Sequence, residues 1–410
     1  MSRHAHSRAR ATPDPRMWPL YAAGFTTAFG AHAVAANLGA FSDDAVQSLM
    51  TLGLLLALYD GAEVLLKPVF GILADRIGAR PVLIAGLVGF SLASATYAVA
   101  DQPGWLWAAR LGQGAAASAF SPSASALVAR LNPAARHGRA FGSYGFYKSI
   151  GYTLGPLLGG VLVWFGGLRM LFVVMAVGSL AVAAWSAIAV PTVPPLPRTR
   201  QTVVDLARRL SDPGFVRPTA ALAGATAALS VGVGFLPVTG AAAGLGTVVT
   251  GAAVSVLAAT GALVQPKAGR ALDERRITVG GGLTAGLLLA AGGLACAAVG
   301  GLGGVLAAAV LIGAGTGLIT PLGFAALAAT TSPARLGQTM GTAELGRELG
   351  DAGGPLLVAA VATAVTLAIG YAALAVVLAA GPVVVLGMAW GRRRRDSRDE
   401  PVRTKEERHA

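Results

Sequence analysis

Apolar stretches of about twenty residues, the length that spans a bilayer as a helix, recur along almost the whole chain. Twelve can be marked out, at about 18–38, 46–70, 81–100, 104–129, 139–165, 168–190, 217–242, 246–266, 277–299, 303–329, 338–366 and 369–391. The pattern predicts an all-α membrane protein with twelve transmembrane helices. The composition agrees. Of 410 residues, 54% are hydrophobic and 12% charged, with a mean hydropathy of +0.65. A soluble domain carries roughly 25% charged residues. The divisions between the seventh, eighth and ninth runs are the least marked, because 239–262 and 298–304 are rich in Gly and Ala.

The net charge of +13 suggests a nucleic-acid partner until its placement is considered. With loops counted from a cytoplasmic N-terminus, the inward ones hold Arg76 and Arg80, then Arg130, Arg136 and Arg139. Further on they hold Arg198, Arg200, Arg208, Arg209 and Arg217, then Lys267, Arg270, Arg275 and Arg276, and finally Arg335. Arg392, Arg393, Arg394 and Arg395 follow the last run directly. The outward loops hold Arg169 with Asp43, Asp44 and Asp101. This is the positive-inside bias, and it sets both termini in the cytoplasm. Residues 1–17 are polar and lack the apolar core of a signal peptide. The single cysteine, Cys296, lies in an apolar run and permits no internal disulfide.

The chain repeats itself at an offset of about 198–200, as expected for two halves related by a parallel repeat. Leu66-Lys67-Pro68-x-x-Gly71-x-x-x-Asp75 aligns with Val264-Gln265-Pro266-x-x-Gly269-x-x-x-Asp273. Arg136-x-Gly138-x-x-x-Gly142 aligns with Arg335-x-Gly337-x-x-x-Gly341, and Lys148-x-x-Gly151-x-x-x-Gly155-Pro156 with Arg347-x-x-Gly350-x-x-x-Gly354-Pro355. The domain reading is a tail over 1–17, six-helix bundles over 18–190 and 217–391, a linker over 191–216 and a basic tail over 392–410. Within the linker, Val203, Leu206, Ala207 and Leu210 fall at helical spacing beside charged residues. That pattern fits an amphipathic helix on the inner membrane surface, or a plain basic linker.

Three motifs carry a family resemblance. Gly71-x-Leu73-Ala74-Asp75-Arg76-x-Gly78-x-Arg80 reads as a tight charged hairpin of about ten residues between runs two and three. Leu106-x-x-x-Arg110-x-x-Gln113-Gly114-x-Ala116-Ala117 lies in run four. Gly151-x-x-x-Gly155-Pro156-x-x-Gly159-Gly160 lies in run five. Together they resemble the major facilitator superfamily, and the last resembles a motif of its drug/proton antiporters. The resemblance implies that Gly71, Asp75, Arg76, Gly78 and Arg80 form a gate, with Asp75 at the N-terminus of helix 11 and Asp273 in the matching place for helix 5. A carboxylate there is favoured by the helix dipole. Gly151, Gly155, Pro156 and Gly159 read as a close, bendable contact suited to a hinge between the halves. In the family fold helices 1, 4, 7 and 10 line the cavity, which makes His32, Asn37, Arg110 and Gln113 substrate-cavity candidates. Helix 1 lacks the intramembrane acid of many drug/proton exporters.

Charged residues inside the runs are the other strong signal. Run two holds Asp60, Glu63 and Lys67; run five holds Lys148; run eleven holds Glu344, Arg347, Glu348 and Asp351. A charge near the bilayer centre costs on the order of 3 kcal/mol on insertion scales, so such residues face partners or a water-filled path. At about 1.5 Å rise per residue, Lys67 lies roughly 12 Å from the edge at Asp75, and Glu344 and Glu348 about 9 and 15 Å from the start of run eleven. These depths predict that Lys67 meets Glu344 or Glu348. Two readings stay open: salt bridges that lock one conformation, and an acid that binds and releases protons as its surroundings alternate. Asp60, the deepest acid of run two, ranks first as proton carrier and Glu63 second.

Nothing calls for a cofactor, a metal or enzymatic chemistry: there is no GxxxxGK[ST] loop and no Cys/His cluster with ligand spacing. The expected protein is a secondary active transporter working by alternating access, exporting small organic or drug-like compounds with proton coupling. A proton-coupled importer or a metabolite or sugar exporter of the same fold is the alternative, and a non-transporting receptor or scaffold a remoter one. The expected partners are a bilayer, a small-molecule substrate and protons, not nucleic acid. The setting expected is a monomer in a bacterial plasma membrane.

Overall fold

The computed structural model describes residues 14–37, 45–99, 103–194 and 212–381, and these form helices joined by short turns. In chain order they are α1 (Trp18–Asn37), α2 (Ala45–Ile77), α3 (Ala79–Val99), α4 (Pro103–Arg130), α5 (137–165), α6 (168–189), α7 (Pro213–Ala242), α8 (Thr247–Asp273), α9 (Val279–Val299), α10 (Gly301–Thr330), α11 (Leu336–Ala364) and α12 (Leu367–Gly381). Helices α5 and α6 run on from one another and are parted by Gly166 and Gly167, the latter at φ 65°. The expected linker helix, residues 1–13 of the N-terminal tail, the C-terminal tail, and Asp43, Asp44 and Asp101 lie outside the described residues. Six described helical stretches are long and apolar enough to cross a membrane on composition alone; α11, with its four charges, is not among them.

The charged hairpin differs from the expectation. Helix α2 continues through Asp75 and Arg76 to Ile77, and α3 begins at Ala79, so the reversal falls on Gly78 at φ +103°. The polar residues looked like a loop because they leave the apolar pattern. They stay helical because the turn needs only one residue in a conformation that glycine adopts without a Cβ clash. At the other end of the linker, α7 begins at Pro213, inside the stretch expected to be linker; Asp212 caps it by accepting from the Gly214 N–H at 3.0 Å.

The two halves pack alike. Helix α1 lies on α5 as α7 lies on α11, α3 on α4 as α9 on α10, and α2 on α4 as α8 on α10. Between the halves, α2 crosses α11 and α8 crosses α5. Small residues permit these crossings, as expected where lipid supplies no hydrophobic drive. A Cβ on Gly71 would stand 2.5 Å from the Gly337 carbonyl oxygen, and one on Gly142 2.6 Å from that of Gln265.

Candidate functional site

One end of the crossings is closed by two matching carboxylates. Asp75, in the last turn of α2, accepts from the Gly337 N–H on one oxygen and the Gln338 N–H on the other, both at 2.8 Å. Asp273, the last residue of α8, accepts in the same way from Gly138 and Arg139, both at 2.9 Å. Each pair of N–H groups belongs to the first turn of a helix in the other half, α11 or α5, where no intrahelical acceptor exists and the helix dipole favours an anion. The second latch has an added ionic part: Glu274 lies 3.7 Å from Arg139 and 2.9 Å from Arg276. In the first, Arg76 is exposed, while Arg80 donates to Thr192 Oγ1 at 2.7 Å and to the Ala187 carbonyl, tying the start of α3 to the end of α6.

Further along the same crossing lies the ion network. Lys67 Nζ is 2.5 Å from Glu63 Oε2 on its own helix and 2.5 Å from Glu348 Oε1 on α11. Glu344, 1% exposed, accepts from Arg347 Nη1 at 3.1 Å and lies 3.9 Å from Lys148 Nζ of α5. The depth arithmetic allowed Lys67 either acid, and Glu348 is the one in contact. Exposure rises away from the latches: Glu63, Lys67 and Glu344 are buried, Glu348 is half-buried, and Asp60 and Asp351 are exposed. The space between the halves therefore opens toward the end opposite the latches. Asp60 has no cation within ion-pair distance among the described residues.

Several expected site residues sit elsewhere. Arg110 and Gln113 are buried at 1% and 0% exposure instead of lining a cavity. The Arg110 guanidinium lies 4.2 Å from the centre of the Tyr59 ring and donates to Gln113 Oε1 at 3.3 Å, while Gln113 Nε2 donates to Ser94 Oγ at 2.9 Å. They join α4 to α2 and α3. Asn37 donates to the Ala33 carbonyl at 2.7 Å and bears on Pro156 of α5. His32 is exposed, with its ring edge-on to Tyr152, 4.4 Å between centres. The stripe Gly151, Gly155, Gly159 meets Phe25, Phe29, His32 and Ala33 of α1. That contact is within the first half, not between halves, because α5 turns a different face to α8.

Sequence reasoning missed Tyr59 and Tyr152. Tyr152 stands one turn from Lys148, whose Nζ lies 6.0 Å from its ring centre, so the i,i+4 spacing was a usable signal. It also missed Gln265, which donates to Ser149 Oγ of α5 at 2.7 Å. In the internal repeat Gln265 matches Lys67 and Ser149 matches Glu348. The two equivalent crossings thus carry an ion pair on one side and a neutral hydrogen bond on the other.

Comparison with known proteins places the chain. The profile described as Major Facilitator Superfamily matches residues 20–291, more than half of the sequence. The chain belongs to that superfamily and is an integral membrane protein. Among curated relatives it is 43% identical over 94 residues to the puromycin resistance protein of Streptomyces alboniger, covering 22% of this chain and 18% of that one. It is 40% identical over 106 residues to the methylenomycin A resistance protein of Bacillus subtilis, covering 25% and 22%, and 30% identical over 111 residues to the quinolone resistance protein NorA of Staphylococcus aureus, covering 27% and 29%. The matches thus span less than a third of each relative. The fold matches that of the human organic anion transporter MFSD10 with a TM-score of 0.78 at 17% identity, covering 91% of this chain and all of that one. It also matches the transporter FucP in its outward conformation, at 0.73 and 13%, covering 90% and 98%. Both likenesses are of the fold.

Proposed function

We propose that the chain exports small organic compounds in exchange for protons, by alternating access of a site between its two six-helix halves. The observation that carries this reading is the ion network at the crossing of α2 and α11: it is buried, it joins the halves, and it borders exposed acids on its open side. Buried intramembrane charges are costly, and their retention marks an ion or substrate path. The resistance proteins among the relatives support export of organic compounds.

The latches serve as the cytoplasmic gate. Their end of the bundle also carries Arg76, Arg80, Arg130, Arg136, Arg139, Arg270, Arg275, Arg276 and Arg335, and the positive-inside bias sets such an end, with both termini, in the cytoplasm. On that assignment the molecule is shut inward and open outward. The hinge role of Gly151, Gly155, Pro156 and Gly159 becomes a sliding contact of α1 on α5. His32, with Asp60 and Asp351, replaces Arg110 and Gln113 on the cavity wall. The test is reconstitution of the full chain in proteoliposomes, with a panel of fluorescent organic compounds and an imposed pH gradient. Gradient-dependent accumulation of at least one compound, abolished by a protonophore, is the expected result; no gradient-dependent flux of any compound refutes the proposal.

A further inference from the structure

If the halves part at the latches, every contact across the α2–α11 and α5–α11 interfaces is lost, and what each charge keeps can be read from the present pairing. Lys67 keeps Glu63, its partner on the same helix. Glu344 keeps Arg347, three residues on along α11. Lys148 loses Glu344 but retains the Tyr152 ring. Glu348 loses Lys67, its one ion-pair partner among the described residues. Each of the other paired acids therefore leaves the interface with a cation from its own half, and Glu348 alone leaves with none.

The repeat supplies an internal comparison. At the equivalent crossing of α8 and α5, Gln265 and Ser149 hold the halves together with a neutral hydrogen bond of 2.7 Å. Closure does not require charge at this position. The ion pair at Lys67 and Glu348 does what the neutral pair does and adds a group whose charge can change.

We propose that Glu348 is the proton-carrying residue of the exchange cycle: gaining a proton on the open side breaks its pair with Lys67 and lets the halves part, and losing it on the inward side restores the pair. This rests on the proton-coupled reading above. In the outward-open arrangement half-buried Glu348 takes a proton from water on the open side. Neutralised, it no longer holds Lys67, which stays paired with Glu63, and the α2–α11 crossing is free to open. On the inward side the carboxyl returns the proton to water, and the ionised group draws Lys67 back. The surrounding groups are consistent with this assignment. From α2, Glu63 and Asp60 face Glu348 beside Lys67; from α1, His32; from its own helix, Arg347, already engaged by Glu344, and the exposed Asp351. Lys148 of α5 is engaged by Glu344. Asp60 and Asp351 add negative charge around Glu348 and give protons from the open side a place to collect.

The test needs no known substrate. In the full chain with Cys296→Ser, spin labels at Ile77→Cys and Ser332→Cys report the distance across the first latch in lipid nanodiscs. In the parent protein the ratio of long to short distances is expected to rise with acidification by up to about tenfold per pH unit near the midpoint, the limit for one proton. Glu348→Gln should remove that response and favour the long distance at every pH, whereas Glu348→Asp should keep a response with a displaced midpoint. Should Glu348→Gln fail to insert, Lys67→Gln takes its place: without the lysine the closed form no longer favours the ionised carboxylate, so the pH response should shrink. A parent-like pH response in Glu348→Gln, or an undiminished one in Lys67→Gln, overturns the assignment while leaving proton coupling intact. A parent protein whose latch distance ignores pH overturns both.

Discussion

Replacing Asp75 by Asn tests the gate at its smallest part. The carboxylate takes two N–H groups from the first turn of α11, each at 2.8 Å. An amide keeps the shape but has one accepting oxygen, so one N–H loses its acceptor and faces an NH₂ group. A hydrogen bond to a charged group contributes about 1.5–3 kcal/mol, and a carboxylate at a helix N-terminus about 0.3–1 kcal/mol when exposed. Asp75 is half-buried, so a combined loss of about 2 kcal/mol is reasonable, equivalent to about a thirtyfold fall in the closed-to-open ratio. The same spin-label pair reads it directly. Asp273→Asn should act similarly, since its two bonds are 2.9 Å long and equally placed. The double variant should show nearly the sum, because the two latches join different pairs of helices. A distance distribution unchanged in Asp75→Asn, with insertion intact, would contradict the reasoning.

Other substitutions probe the rest of the interface. Gly71→Ala places a methyl 2.5 Å from the Gly337 oxygen, so the closed crossing should weaken by about 1–3 kcal/mol, seen as a lengthened latch distance at neutral pH. Glu344→Gln strands Lys148 and Arg347 together, and a loss of about 3–5 kcal/mol should appear as a lower melting temperature in detergent; an unchanged melt would mean both cations find other partners. Arg110→Lys cannot stack flat on Tyr59, so it should lower stability without altering pH-driven transport, which a transport assay beside a melt will separate.

The readable parts of the site were those fixed by spacing along a helix. Asp75 and Asp273 stood out because the repeat places them at matching positions, and a fixed rise per residue brought Lys67 within a turn of Glu348. What lay around the helix axis was harder. Helix α4 is so rich in Ala, Gly and Ser that no apolar face contrasts with a polar one, and nothing told Arg110 and Gln113 which way to point. The glycine stripe of α5 announced a close contact without naming α1 as its partner, since small residues in lipid serve any neighbour equally. The extent of α2 was misjudged for a related reason: hydropathy marks where the apolar environment ends, and the helix outlasts it as far as Gly78.

The most direct measurement of the central claim is solute flux coupled to protons. Purified protein in sealed vesicles, loaded with a transported fluorescent compound, should drive its movement against a concentration gradient when a pH gradient is imposed, with opposite proton movement recorded by a trapped pH dye. Glu348→Gln should still exchange the compound across the membrane at equal pH but should fail to concentrate it. Loss of exchange and accumulation together, with the latch distances still switching, would contradict the account, as would accumulation at the parent rate.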